Sequence, residues 1–149
     1  MKRQRLQAAA VGGSPDEVEQ AFYEALSHAD IGQMMACWAE EDEIVCILPA
    51  GERLVGPGPI RRAFERLFAK GKLQVRQERV HKLEALASSV HHLTEHVRVL
   101  TPQGEQVAWI AVTHVYHKTP QGWRLVLHHA SPVSAQDLSG AAKRPPVLH

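Results

Sequence analysis

Apolar positions keep a helical period to about residue 71 and an alternating one beyond it. Ser14-Pro15-Asp16-Glu17 reads as a helix start: Ser14 caps, Pro15 suits the first helical position and Glu17 can reach back to the cap. Val18, Ala21, Phe22, Ala25 and Leu26 then form one apolar face to about His28. Asp30 caps a second helix whose inner face is Ile31, Met34, Met35 and Trp38, and the run Glu40-Glu41-Asp42-Glu43 follows as a solvated turn. Ile44 to Leu48 is rich in strand formers, and Pro49-Ala50-Gly51 turns it back through Arg53-Leu54-Val55 as a small hairpin. Gly58-Pro59 opens a third helix with Ile60, Ala63, Phe64, Leu67 and Phe68 on its inner stripe, and Gly71 ends it.

Four long strands are predicted next, over 74–86, 90–100, 106–117 and 123–133. Their joints, Ala87-Ser88-Ser89, Thr101-Pro102-Gln103-Gly104 and Thr119-Pro120-Gln121-Gly122, are short and rich in turn formers, so the strands should run as an antiparallel meander. The fold class is therefore α+β, three N-terminal helices packed on one face of a strongly curved antiparallel sheet. One domain over 14–133 is expected, with a flexible leader at 1–13 and a flexible tail at 134–149.

Composition narrows the function classes. The chain has 149 residues, enough for one core. Its 17 Lys plus Arg balance 16 Asp plus Glu, which argues against a nucleic-acid or acidic-membrane surface. Cys37 and Cys46 sit among apolar residues without Cys-x-x-Cys spacing, as free thiols of a reducing compartment do. With no signal-like apolar run and no membrane-length segment, a soluble cytoplasmic protein is expected. The outlier is the 10 histidines.

The order helix, helix, short hairpin, helix, four-strand meander, together with Gly122-Trp123-Arg124-Leu125-Val126-Leu127-His128-His129-Ala130-Ser131-Pro132, resembles the nuclear transport factor 2-like superfamily. Within it the likeness is to the SnoaL-like, ketosteroid isomerase-like branch and to the association domain of calcium/calmodulin-dependent kinase II, which also closes on a Trp-led strand ending in His-x-Ser, here Trp123, His129 and Ser131. The resemblance implies a cone with a pocket between helices and sheet. It also implies where isomerase chemistry would sit. The general-base Asp before the Pro-x-Gly turn is replaced by Leu48. The oxyanion-hole positions hold Phe22, Trp38, Phe64 and His114. Steroid isomerisation by the family mechanism is thus not expected.

Strand alternation sorts the histidines. His92, Thr94, His96, Arg98, Ile110, Val112, His114, Tyr116, Val126, His128 and Ala130 fall on one face, assigned to the pocket by the resemblance. Val97, Val99, Trp109, Val115, Trp123, Leu125, Leu127 and His129 fall on the other. That second face is apolar, so a homodimer through the sheet is expected to cover it. Simple hairpin registers place His92 across from His114 and Val112 across from His128, which raises a three-histidine metal site as an alternative. No compelling carboxylate or thiolate spacing supports it, so no metal or cofactor is expected. His114 is the candidate acid or base. Phe22, Trp38, Leu48, Phe64, Ile110 and Val112 are the apolar pocket lining, with His96, Arg98 and His128 as polar anchors, Arg98 suiting a ligand carboxylate or phosphate. The expected function is binding of a small, largely apolar organic molecule, with isomerase, cyclase or dehydratase chemistry at His114; a noncatalytic binding or assembly domain is the competing class.

Overall fold

The structure, a computed structural model, describes residues 12–134, so the leader to residue 11 and the tail from residue 135 lie outside the described residues. Helix α1 (Pro15–His28) starts as its sequence dictates: Ser14 Oγ accepts from Glu17 N at 3.1 Å and Pro15 takes the first turn. Ala29, in left-handed geometry, ends it, and Asp30 Oδ1 caps α2 (Ile31–Ala36) by accepting from Gln33 N at 3.0 Å. Strands β1 (Val45–Ile47) and β2 (Arg53–Val55) form the small hairpin, and α3 (Pro57–Ala69) follows. The meander is β3 (Gln74–Glu84), β4 (Ser88–Thr101), β5 (Gly104–Thr119) and β6 (Gly122–Val133).

All six strands join one sheet in the order β2-β1-β6-β5-β4-β3. The sheet is mixed where an antiparallel one was expected, because β1 pairs with β6 in parallel. The crossover through β2, α3 and three strands gives β1 the length of chain that a parallel neighbour requires. The helices cover the inner face, where Val18, Phe22, Met34, Ile60 and Phe64 meet Leu93, Val112, Tyr116 and Leu125 in the core.

Two local features set which side chains enter that core. Thr101 pairs with Gly104 around a two-residue loop, Pro102-Gln103, and Gly104 takes a φ of 110°, which glycine adopts without strain. This register puts His91 opposite His114 and His92 opposite Thr113. The expected pairing of His92 with His114 is therefore off by one residue, which reverses the faces of β4. In β6, Tyr116 pairs with Leu125 and Val115 with Leu127, leaving Val126 as a bulge residue. Both Leu125 and His128 consequently point inward, and His128 lies directly opposite His114 rather than diagonal to it.

Candidate functional site

Three imidazoles line up across the inner face: His91 on β4, His114 on β5 and His128 on β6, each the cross-strand partner of the next. His91 and His114 are 0% exposed and His128 is 5% exposed, so each needs partners inside the protein. His114 Nε2 and His128 Nδ1 share a hydrogen bond of 2.8 Å, and the Tyr116 hydroxyl lies 3.1 Å from His114 Nδ1. Burial raises the Tyr116 pKa well above its ordinary value, so its hydroxyl keeps its proton and donates. That choice puts the His114 proton on Nε2, donating to His128 Nδ1, an assignment made from the network. Burial also pushes His114 and His128 below the ordinary histidine range; for His128 the neighbouring His114 and His129 rings, against which a further positive charge would be repelled, add to this. Both rings are thus neutral near pH 7.

The acid that joins this row comes from α1. Glu19, on the second turn, is 5% exposed and lies at the edge of the stripe that buries Val18 and Phe22. Its Oε2 accepts a short hydrogen bond from His91 Nδ1, and its Oε1 stands 3.6 Å from His114 Nδ1. Burial, the largest influence, pushes this carboxyl up, but the facing His114 and His91 rings together outweigh it and hold the pKa at about 2. On the tautomer that places the ring proton on Nδ1, donating to Glu19, His91 Nε2 carries the lone pair. It is buried without a hydrogen-bond partner, 3.9 Å from Asp16 Oδ1.

One turn further along α1, the Tyr23 hydroxyl donates to Glu95 Oε2 at 2.6 Å. Burial raises Glu95 to about 7, opposed by the Tyr23 hydrogen bond and reinforced by the charge of Glu19. Glu19 and Tyr23 also line an open groove of about 720 Å³ between α1 and β3. Its other walls include Asp16, Gln20, Val75 and Lys82, with Lys82 Nζ 2.8 Å from Asp16 Oδ1.

The residues singled out from the sequence divide into three groups. His114 and His128 are in the buried row. Phe22, Trp38, Phe64, Ile110 and Val112 are core residues, and Leu48 is half-buried against the same core. The Phe22 ring fills the space before the histidines, its centroid 4.8 Å from that of His114 and 5.2 Å from that of His128. His96 and Arg98 stand on the opposite face of the sheet, a correction that follows from the β4 register: His96 packs edge-on against Trp109 at 4.6 Å and Arg98 pairs with Glu105. Glu19, Tyr23, His91 and Glu95 were missed. The adjacent pair His91-His92 did signal that one imidazole must point inward, and Glu19 and Tyr23 flank Phe22 at helical spacing.

Cys37 and Cys46 are buried free thiols that burial pushes up to about 12, which makes them inert at neutral pH. No helix among the described residues is long and apolar enough to cross a membrane.

Comparison with known proteins accords with this architecture. The profile of the SnoaL-like domain matches residues 16–135. A crystal structure from Thiobacillus denitrificans, provisionally described as a calcium/calmodulin-dependent protein kinase type II association domain, is 30% identical with a TM-score of 0.73, covering 82% of this chain and 97% of that one. A second, from Streptomyces avermitilis and provisionally described as a dehydratase of the nuclear transport factor 2-like family, is 26% identical with a TM-score of 0.72, covering 79% and 93%. A protein with a cystatin-like fold from Caulobacter vibrioides shares the fold at 15% identity and a TM-score of 0.72, covering 84% and 91%. A search of curated proteins found no match. Helices, sheet order and matched span together place this chain in the SnoaL-like domain family of the nuclear transport factor 2-like superfamily.

Proposed function

We propose that the groove between α1 and β3 binds a small polar carbonyl compound and that the Glu19–His91 dyad moves a proton on it, in an isomerase- or dehydratase-type reaction. The observation that carries this reading is the buried His91 Nε2, which has no hydrogen-bond partner, lies behind the Asp16 and Glu19 wall of the groove and is backed on Nδ1 by a buried carboxylate. A carboxylate in that place fixes the tautomer and stabilises the imidazolium that forms when Nε2 takes a proton. The proton leaves a carbon next to the carbonyl. The electron pair either returns to a neighbouring carbon with the same proton, or expels a hydroxyl that departs as water with it. Tyr23, on the groove wall, keeps its phenolic proton because burial raises its pKa and donates it to Glu95, so it fixes the position of that carboxyl beside the dyad. The likeness to the Streptomyces protein described as a dehydratase supports the reaction class. Compared with the apolar cone pocket expected from the sequence, this site is shallower and more polar, because Phe22 occupies the cone.

The test uses α-proton exchange. Purified protein in D2O is incubated with a panel of small hydroxy- and keto-carbonyl compounds, and exchange is followed by NMR. Exchange with at least one compound, lost in His91→Gln and reduced in Glu19→Gln, is the expected result. Absence of exchange across the panel, or equal exchange in the variants, would defeat the reading.

A second reading has its own observation. On the sheet face away from the helices, Val90, Val115 and Leu127 form one cross-strand row and His96, Trp109 and Val133 another. Such an apolar face is suited to a second copy of the chain. The likeness to the Thiobacillus protein described as an association domain supports self-association. Solution mass by light scattering tests it: a dimer agrees, a monomer at micromolar concentration does not.

A further inference from the structure

Asp16 and Glu19 on the groove wall, with the buried His91 behind them, form an arrangement that proton transfer alone does not account for. Asp16, Glu19 and His91 each present one ligand atom, and the three atoms lie within 4.8 Å of one another. Two buried atoms there lack hydrogen-bond partners, His91 Nε2 and Glu19 Oε1. Leaving such atoms unpaired is costly unless something outside the protein completes them. Asp16 is open to solvent, with 60% of its side chain exposed, and its Oδ1 is 3.9 Å from His91 Nε2. The site already attracts a cation: the Lys82 ammonium sits 2.8 Å from the same oxygen, on a side chain that is 39% exposed and free to swing away. Around it Asp16, Glu19 and Glu24 set three carboxylates against that one ammonium.

We infer that Asp16 and His91 bind a divalent cation of the zinc class at the groove wall, in place of the Lys82 ammonium, with Glu19 supporting the site from His91 Nδ1. A mixed imidazole and carboxylate donor set suits zinc better than the all-oxygen sites of magnesium or calcium. Metal-bound imidazole characteristically gives its other ring N–H to a carboxylate, the position Glu19 holds, which fixes the tautomer and raises ligand basicity. Bonds of about 2.0–2.1 Å in a tetrahedral site set ligand atoms roughly 3.3 Å apart, so a modest closure of the Asp16 side chain completes the pair. Water from the open groove fills the remaining positions. Binding takes the lone pair of Nε2, so zinc silences any proton transfer at His91.

The test reads binding, so its outcome is separate from the exchange experiment, which is run on metal-free protein. Chelator-stripped, tag-free protein is titrated with zinc by calorimetry near pH 7.5. Exposed His81, His92 and His129 offer adventitious sites, so variants decide the matter. One equivalent of zinc is expected to bind to the wild type, with affinity about tenfold weaker in Asp16→Asn, 10–100-fold weaker in Glu19→Gln, and tighter in Lys82→Met, which removes the competing ammonium. Magnesium in excess should not displace it. Asp16→Asn alters an exposed first-turn side chain, so its fold should persist even where the buried Glu19 variant is destabilised. Absence of one-to-one binding, or equal affinity in wild type and Asp16→Asn, would overturn the inference.

Discussion

Glu19 and His91, 72 residues apart in sequence, meet in the protein interior with the carboxylate of one on Nδ1 of the other. A helix turn and a mid-sheet position supply the two halves, so the pairing exists only in the folded chain. Both groups are costly to bury separately, and each reduces the cost of burying the other.

Acid stability follows from this pairing. Glu19 has a folded pKa of about 2 against an ordinary 4.5, so the native state disfavours its protonation. Its contribution is present above pH 4.5 and is lost as pH falls toward 2. Glu19→Gln should lower stability at pH 7 by roughly 2–4 kcal/mol and flatten the acid limb of the stability curve. Urea unfolding at a series of pH values measures both; an unchanged acid limb would contradict the assignment.

Glu95 should act with the opposite sign. Its folded pKa is raised to about 7 from 4.5, so its stabilising contribution is complete below pH 4.5 and is lost as pH rises through 7. Glu95→Gln keeps an acceptor for Tyr23 without the charge. It should be more stable than wild type above pH 8, by up to roughly 3 kcal/mol, and close to it at pH 5. A variant less stable than wild type at both pH values would count against a buried, charge-averse carboxyl.

Phe22 occupies the space that resemblance assigned to a ligand. Phe22→Ala should cost about 3–5 kcal/mol and leave an apolar cavity before His114 and His128. Thermal shift with indole or benzene checks this: the variant should be stabilised by the probe and the wild type should not. Stabilisation of both would mean that the cone already holds a ligand space.

Trp109, on the uncovered sheet face, provides the test of assembly. Trp109→Glu should halve the solution mass if that face joins two copies, with the circular dichroism spectrum retained. An unchanged oligomer would place the interface elsewhere.

Most of the architecture was legible because it rests on local signals. The Ser14-Pro15 and Asp30 starts, the three helical stripes and the short turns between alternating strands are all encoded within a few residues. The site depends on register, which is not. Alternation shows that one of His91 and His92 points inward, but the two-residue loop at Pro102-Gln103 decides which. The bulge at Val126 then shifts the phase of β6, bringing Leu125 and His128 to the same side. Each is a single-residue choice, and an error in either moves a whole strand's side chains to the other face. Glu19 escaped notice for another reason: a carboxylate at the margin of an apolar helix stripe reads as surface until its imidazole partners are known.

The most direct test of the account is the proton position on His91, read by nitrogen NMR of the imidazole rings at pH 8 in metal-free protein. The dyad requires a neutral ring with its proton on Nδ1 and a bare Nε2, and that pattern should be lost in Glu19→Gln. A neutral ring protonated on Nε2, or an imidazolium persisting to pH 9, would leave His91 without the lone pair on which both the proposed chemistry and the cation site depend.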